Sequence, residues 1–254
     1  MFESRSQIIK PAGLGLIGFG GFGQFIADVF SEMPQARLRA VCDTDAVRRK
    51  LAAERYGVRT FENPLELIEL PEVEVVVIST PPNTHAPLGI AAAQKGKAVF
   101  CEKPLATTFE DAARLIQTAQ ENSAALIVDF VQRYNPLNEA VRDLVRERVL
   151  GRLVNMEVNN YASDEFLKPG HWFWDRQISG GIWVEHGVHF FDLAAWWLGS
   201  PAACVTALAS SRPNGEEDRV WAIVRHRDGS TATFCHTFTQ PAAFEQTSIR
   251  LVFS

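Results

Sequence analysis

"LIGFGGFG", residues 16–23, is the stretch on which the reading of this 254-residue chain turns. A short apolar run enters a turn carrying Gly18, Gly20 and Gly23 in GxGxxG spacing, and "FGQFIADVFSEM" follows with the period of a helix. Glycines here permit a tight turn and a close backbone approach, so a pyrophosphate can rest on the N–H groups of the helix start. Gly18, Phe19, Gly20, Gly21, Phe22 and Gly23 are therefore the expected dinucleotide contacts. The spacing alone is a weak signal; its position between a strand and a helix gives it weight.

Asp43 closes the next apolar run, "RLRAVCD", roughly 25 residues after Gly18, where an acid reaches ribose hydroxyls in units of this kind. A carboxylate about 4 Å from a 2′-phosphate costs about 4 kcal/mol per charge at an effective dielectric of about 20. That is about three decades of affinity, so NAD is expected over NADP. Arg48, Arg49 and Lys50 follow closely and soften the preference, and Arg48 is counted among the cofactor contacts.

Working outward, strands and helices keep alternating. "EVEVVVIST" is a β-branched run of the sort buried on both faces. "APLGIAAAQKG" reads as a helix stopped by Gly96, "KAVFCEKP" as a strand stopped by Pro104, and "FEDAARLIQTAQEN" and "AALIVDF" continue the pattern. Such alternation implies an α/β, Rossmann-type doubly wound parallel sheet over residues 1–130. Composition changes at "RYNP". One charged amphipathic helix is expected from Pro136 to Val149, and after it come "RLVNMEVNNY", "AACVTALAS", "RVWAIVRHRDGSTATFCHTF" and "TSIRLVFS". "RDGS" between two alternating runs predicts a hairpin. Residues 131–254 thus read as an α+β substrate-binding and oligomerisation domain with a mostly antiparallel open sheet. The sequence stops inside a strand, so the chain reads as truncated.

Composition narrows the function classes. With 46% hydrophobic and 22% charged residues the chain is globular, and its length favours two domains. A net charge of −5 leaves no basic footprint for nucleic acid. No apolar run approaches the roughly 18 residues of a membrane helix, and "MFESRSQIIKPAG" lacks a signal-peptide core. Cys42, Cys101, Cys204 and Cys235 lack CxxC spacing. They are read as buried thiols in a reducing cytoplasm.

The chemistry is expected at two places. "CEKP" puts Lys103, after Glu102, at the carboxyl end of a strand, the edge where open α/β sheets bind ligands. "STPPNTHAPL" adds a loop at the same edge, with Thr80, Pro81, Pro82, Asn83 and His85 as cofactor contacts and Asn83 or Thr84 as a helix cap. His85 has the weaker claim there, and a structural role suits it better. The second place is "GGIWVEHGVHFFD", residues 180–192. At 100° per residue, His189 and Asp192 fall about 40° and about −20° from Glu185, one polar stripe on an otherwise apolar helix. His186 lies off the stripe. The stripe is expected to face the cleft between domains as the second half of a site begun at Lys103. A metal site is the competing reading, although "EHGVH" is not HExxH and Lys103 has no place in it. A third reading is a buried acid–histidine pair without chemistry. "HWFWD" offers Trp174 and Arg176 as substrate contacts, or simply aromatic core.

Together "LIGFGGFG", "VVVISTPPNTHAPLGIAAAQKGKAVFCEKPLATT", "QRYNP" and "SGGIWVEHGVHFFDLAAWWLG" resemble the glucose–fructose oxidoreductase / inositol dehydrogenase (Gfo/Idh/MocA) family, in family order. The resemblance implies an NAD(P)-binding Rossmann domain and a C-terminal domain whose open sheet forms a homo-oligomer interface. It also implies oxidation or reduction at a hydroxyl-bearing carbon of a sugar, cyclitol or related small molecule. By position Lys103 matches the family's catalytic lysine and His189 the histidine that exchanges the hydroxyl proton. Glu185 stands where the family usually has aspartate; displacing a catalytic group by about an ångström costs about a hundredfold in rate. Glu185 is expected to orient His189 and Lys103, and Asp192 to be structural. A non-catalytic NAD-binding sensor of the same fold is the alternative, distinguished by binding cofactor without ever reducing it.

Overall fold

The computed structural model describes residues 10–254. The leader reading of "MFESRSQIIKPAG" falls mostly on residues 1–9, outside the described residues. The chain divides after Asp129 into two compact units.

The first unit alternates as its sequence predicts: β1 (Ala12–Ile17), α1 (Gly21–Glu32), β2 (Ala36–Cys42), α2 (Ala46–Tyr56), β3 (Arg59–Phe61), α3 (Pro64–Ile68), β4 (Val75–Ile78), α4 (His85–Gln94), β5 (Ala98–Glu102), α5 (Phe109–Glu121) and β6 (Leu126–Asp129). All six strands are parallel, in the order β3-β2-β1-β4-β5-β6. The order reverses between β1 and β4, the place where such sheets open a crevice at their carboxyl edge. Apolar residues on each face of the sheet make a core, one around Ile78, Val99 and Leu67, the other around Leu16, Val41 and Ile26. Helix ends follow their local signals. Asp45 caps α2 by accepting from the Val47 N–H, and Gly57 ends it in the left-handed region.

The second unit contains α6 (Pro136–Arg146), β7 (Leu153–Ser163), α7 (Arg176–Ser179), a π-helical segment (Trp183–Gly187), α8 (Val188–Leu198), β8 (Ala202–Ser211), β9 (Glu217–His226), β10 (Thr231–Gln240) and β11 (Gln246–Phe253). Its sheet runs β11-β7-β10-β9-β8, antiparallel except for β7 beside β10. Helix α8 lays Phe190, Leu193, Ala194 and Trp197 on the Met156, Val158, Ala222, Val224 and Phe234 side of that sheet. The apolar girth of the helix is thereby explained.

Several expectations are corrected. The amphipathic helix stops at Arg146 rather than Val149, with Arg148 and Gly151 at positive φ just after it. Cys42 and Cys101 are buried, and burial raises both thiols, Cys42 to about 12. Cys204 is exposed because edge strand β8 is exposed along nearly its whole length, and Cys235 is half-buried because it stands at one of the less buried alternate positions of β10. Among the described residues no helix is long and apolar enough to cross a membrane.

Candidate functional site

The glycine turn is built by two different constraints. Gly18 sits at φ +93, and a Cβ there would run into the Ser79 carbonyl oxygen; one at Gly23 would meet the Gly18 carbonyl. These two glycines lock β1, α1 and the end of β4 together. Gly20 and Gly21 are different. A Cβ at Gly20 would meet only the Arg48 guanidinium, 3.8 Å away, and one at Gly21 would meet nothing within 4 Å. Gly20 also caps α1 without any side-chain hydrogen bond. The helix start therefore faces open space with its N–H groups, which fits a pyrophosphate.

Asp43 is buried and already engaged. Its Oδ2 accepts the Phe19 N–H at 2.7 Å and its Oδ1 the Asp45 N–H at 2.8 Å, with the Arg48 guanidinium 3.6 Å from Oδ2. A carboxylate has about four lone-pair sites, so acceptor capacity remains for ribose hydroxyls. Phe19 has less to offer: its ring is fully buried and its N–H is given to Asp43. Phe22 is half-exposed beside Phe25. Arg49, which the sequence grouped with Arg48, is tied to the Asp43 and Thr44 carbonyls and to Glu62.

The second loop is stiffer than its sequence indicates. The His85 ring is buried between the Pro104 and Thr80 carbonyl oxygens, 2.7 Å from each. It joins the loop after β4 to the loop after β5, the structural role that suited it. Pro82 is buried and Asn83 exposed in a single 3-10 turn, Pro82–Thr84. The cap expected from Asn83 or Thr84 is not made: the Thr84 hydroxyl lies 2.6 Å from Thr80 Oγ1 and 2.8 Å from the Pro81 carbonyl. Lys103 follows the last residue of β5, half-buried, with a cis bond to Pro104. Directly before it, Glu102 is buried opposite Asp129 in the register of β5 and β6; burial, then Asp129, pushes its carboxyl up to about 8.

In the second unit, Gly180 and Gly181 have φ of +82 and +87, and a Cβ on Gly180 would lie 2.6 Å from Val184. Only glycine takes both conformations without strain. They turn the chain from α7 into the π-helical segment that carries Glu185. That segment corrects the angular reading. A π turn holds more residues than an α turn, so Glu185 and His189 are not spaced at 100° per residue. Gly187 admits the wide turn, since a Cβ there would stand 2.5 Å from the Trp183 ring. His189 and Asp192 both lie on regular α8. His189 packs edge-on against Phe130, ring centroids 6.4 Å apart. Asp192 is held by Arg133 through two hydrogen bonds of 2.7 and 2.6 Å. The Arg133 guanidinium also lies over the Phe130 and Trp196 rings. "QRYNP" thus braces α8 through an ion pair. Trp174 packs on Phe173 and Phe238, donates its indole N–H to the Leu167 carbonyl, and lies under the Arg212 guanidinium. Its contacts are those of aromatic core. Arg176 is exposed, 3.9 Å from Glu217.

Three features escaped the sequence. Asp129 faces Glu102 through strand register, Arg133 pairs with Asp192 across 59 residues, and His236 is buried without a partner at either ring nitrogen. Trp183, His186 and Phe190 surround His236, and burial first, then His186, lowers its pKa to about 3. None has a local pattern that announces it. Among the described residues no group of three or more His, Cys, Asp or Glu side chains is placed to hold a metal ion.

Comparison with known proteins bears on both units. Residues 12–130 match the model of an oxidoreductase family with an NAD-binding Rossmann fold, and residues 138–253 match the GFO/IDH/MocA C-terminal domain. Inositol 2-dehydrogenase of Rubrobacter xylanophilus is 34% identical over 187 residues, 73% of this chain and 52% of its own length. Rhizopine catabolism protein MocA of Rhizobium meliloti is 32% identical over 224 residues, 86% of this chain and 68% of its own length. The chain thus spans about half to about two thirds of these relatives. The crystal structure of GenD2 from gentamicin A biosynthesis in complex with NAD superimposes with a TM-score of 0.90 and 25% identity, covering 98% of this chain and 72% of the other. With both of its units matched in order, this chain belongs to the Gfo/Idh/MocA family of oxidoreductases.

Proposed function

We propose that this chain is an NAD-dependent dehydrogenase or reductase acting at a hydroxyl-bearing carbon of a sugar or cyclitol. The observation that carries the reading is the shared sheet edge: the open glycine turn after β1 and Lys103 after β5 both stand at the carboxyl edge of one parallel sheet. The inositol dehydrogenase among the relatives supports the substrate class.

Gly20, Gly21 and the first turn of α1 receive the pyrophosphate, and Asp43 meets the adenosine ribose and disfavours a 2′-phosphate. Thr80, Pro81, Pro82, Asn83 and Glu102 complete the cofactor contacts. When bound, the nicotinamide supplies the hydride acceptor or donor. His189 takes the hydroxyl proton during oxidation; histidine, ordinarily near its midpoint at about pH 6.5, suits that task at neutral pH. Lys103 directs an ammonium N–H at the substrate oxygen and stabilises developing alkoxide charge. Glu185 orients His189. Arg176 is the outer substrate contact. Self-association uses the open face of the second sheet, where Leu208, Trp221 and Ile223 are 69%, 38% and 58% exposed on neighbouring strands.

Titration with NADH and with NADPH, followed by tryptophan-to-nicotinamide energy transfer, tests the cofactor assignment. NADH is expected to bind markedly tighter. A polyol and sugar screen then tests the reaction, and Lys103→Ala should lower turnover at least about 100-fold while NADH affinity stays within a few-fold. Near-wild-type turnover in that variant sinks the assignment of Lys103; tight NADH binding with no turnover of any substrate points to the sensor.

A further inference from the structure

Glu102 and Asp129 end adjacent parallel strands in direct register, which sets the two carboxyl groups side by side. Two ionised carboxylates offer only acceptors, so a hydrogen bond between them requires a proton. Glu102 is 8% exposed, and its Oε1 is buried without a hydrogen-bond partner. Asp129 is more open to solvent. The charged groups acting on Glu102 are Asp129 from β6 and Lys103 from the end of its own strand. On the other side β4 ends at Ile78, opposite Cys101, and runs on into uncharged Ser79 and Thr80. From α4, the His85 ring is bound to the Thr80 and Pro104 carbonyls.

We propose that Glu102 and Asp129 hold one proton between them at neutral pH, on Glu102, and that Asp129 is thereby a positioning residue for Lys103. An ionised Glu102 directly before Lys103 would draw the ammonium toward itself. A neutral Glu102 exerts no such pull. The like charge of Asp129, together with burial, keeps Glu102 neutral. As pH rises, Glu102 gives its proton to solvent and begins to compete for Lys103. The effect on Lys103 rests on the dehydrogenase reading; the shared proton does not.

The decisive measurement is infrared spectroscopy of the 254-residue protein carrying isotope-labelled glutamate, titrated from pH 6 to pH 10. One protonated glutamate carboxyl is expected at pH 7, titrating above neutrality and absent in Glu102→Gln. In Asp129→Asn the same band should titrate at least about one unit lower, because the like charge is gone. No protonated glutamate at pH 7, or a titration that Asp129→Asn leaves in place, overturns the proposal. Turnover supplies the second arm. In Asp129→Asn the alkaline fall in kcat should move at least about one unit lower than in the wild type, with little change in substrate KM and with activity regained at lower pH, where Glu102 holds its proton. A loss of kcat that is the same at every pH would mark a merely structural pair and overturn the positioning role. If the band behaves as expected while wild-type protein oxidises no polyol or sugar, the dehydrogenase reading fails and the shared proton stands.

Discussion

This chain contains two Gly–Gly pairs at functionally suggestive turns, and they exist for opposite reasons. Gly180 and Gly181 are fixed by the backbone: both lie at positive φ, and Val184 fills the space a side chain on Gly180 would need. Gly20 and Gly21 are fixed by nothing within the protein, since a Cβ on either meets no backbone and almost no side chain. One pair bends the chain, and the other keeps a helix end bare. The same dipeptide therefore predicts a folding defect at one site and a binding defect at the other.

The largest effect is expected at the Gly180–Gly181 pair. Gly180→Ala combines left-handed strain with overpacking against Val184 and should cost about 2–4 kcal/mol, read from urea unfolding. A loss below about 0.5 kcal/mol would show that the turn relaxes and would remove the contrast. A smaller effect separates the histidines of the two units. His85 has both nitrogens beside carbonyls, whereas His236 has a partner at neither. Because the folded pKa of His236 is lowered to about 3 from 6.5, the unfolded chain binds its proton first as pH falls. Its contribution is present in full above about 6.5 and is lost as pH falls through about 3, by at most about 1.4 kcal/mol per pH unit. Comparing unfolding at pH 7 and pH 5 in wild type and His236→Leu checks this, and identical acid slopes would refute it. The smallest stability change belongs to Gly21→Ala, within about 1 kcal/mol and in the stabilising direction, while NADH affinity falls about tenfold as the methyl group crowds the pyrophosphate seat. Unchanged affinity would mean that the bare helix end is not that seat.

What the sequence made legible was local. Strand–helix alternation and the glycine spacing are written in consecutive residues, and the order of elements in both units follows from them. Asp43 was placed correctly at a strand end, yet its bond to the Phe19 N–H depends on how β2 lies beside β1, which periodicity does not encode. The same holds for Glu102 and Asp129, which meet only through the register of β5 and β6, and for Arg133 and Asp192. The π-helical segment was hidden for a different reason. A fixed angle per residue presupposes an α-helix, and only the close approach of the Trp183 ring to Gly187 reveals the wider turn. Of the substrate contacts read from "HWFWD", Trp174 is occupied by core packing, a distinction that aromatic composition alone does not make.

The bond between Asp43 and the Phe19 N–H has a consequence for how such a protein changes its coenzyme. The residue proposed to discriminate at the ribose also pins the first loop of the fold. Replacing it to admit a phosphorylated coenzyme would leave a buried donor unsatisfied, at about 1–3 kcal/mol, and loosen the loop that any coenzyme must use. Preference and rigidity are inherited together here. A lineage or a designer can separate them only by first giving Phe19 another acceptor.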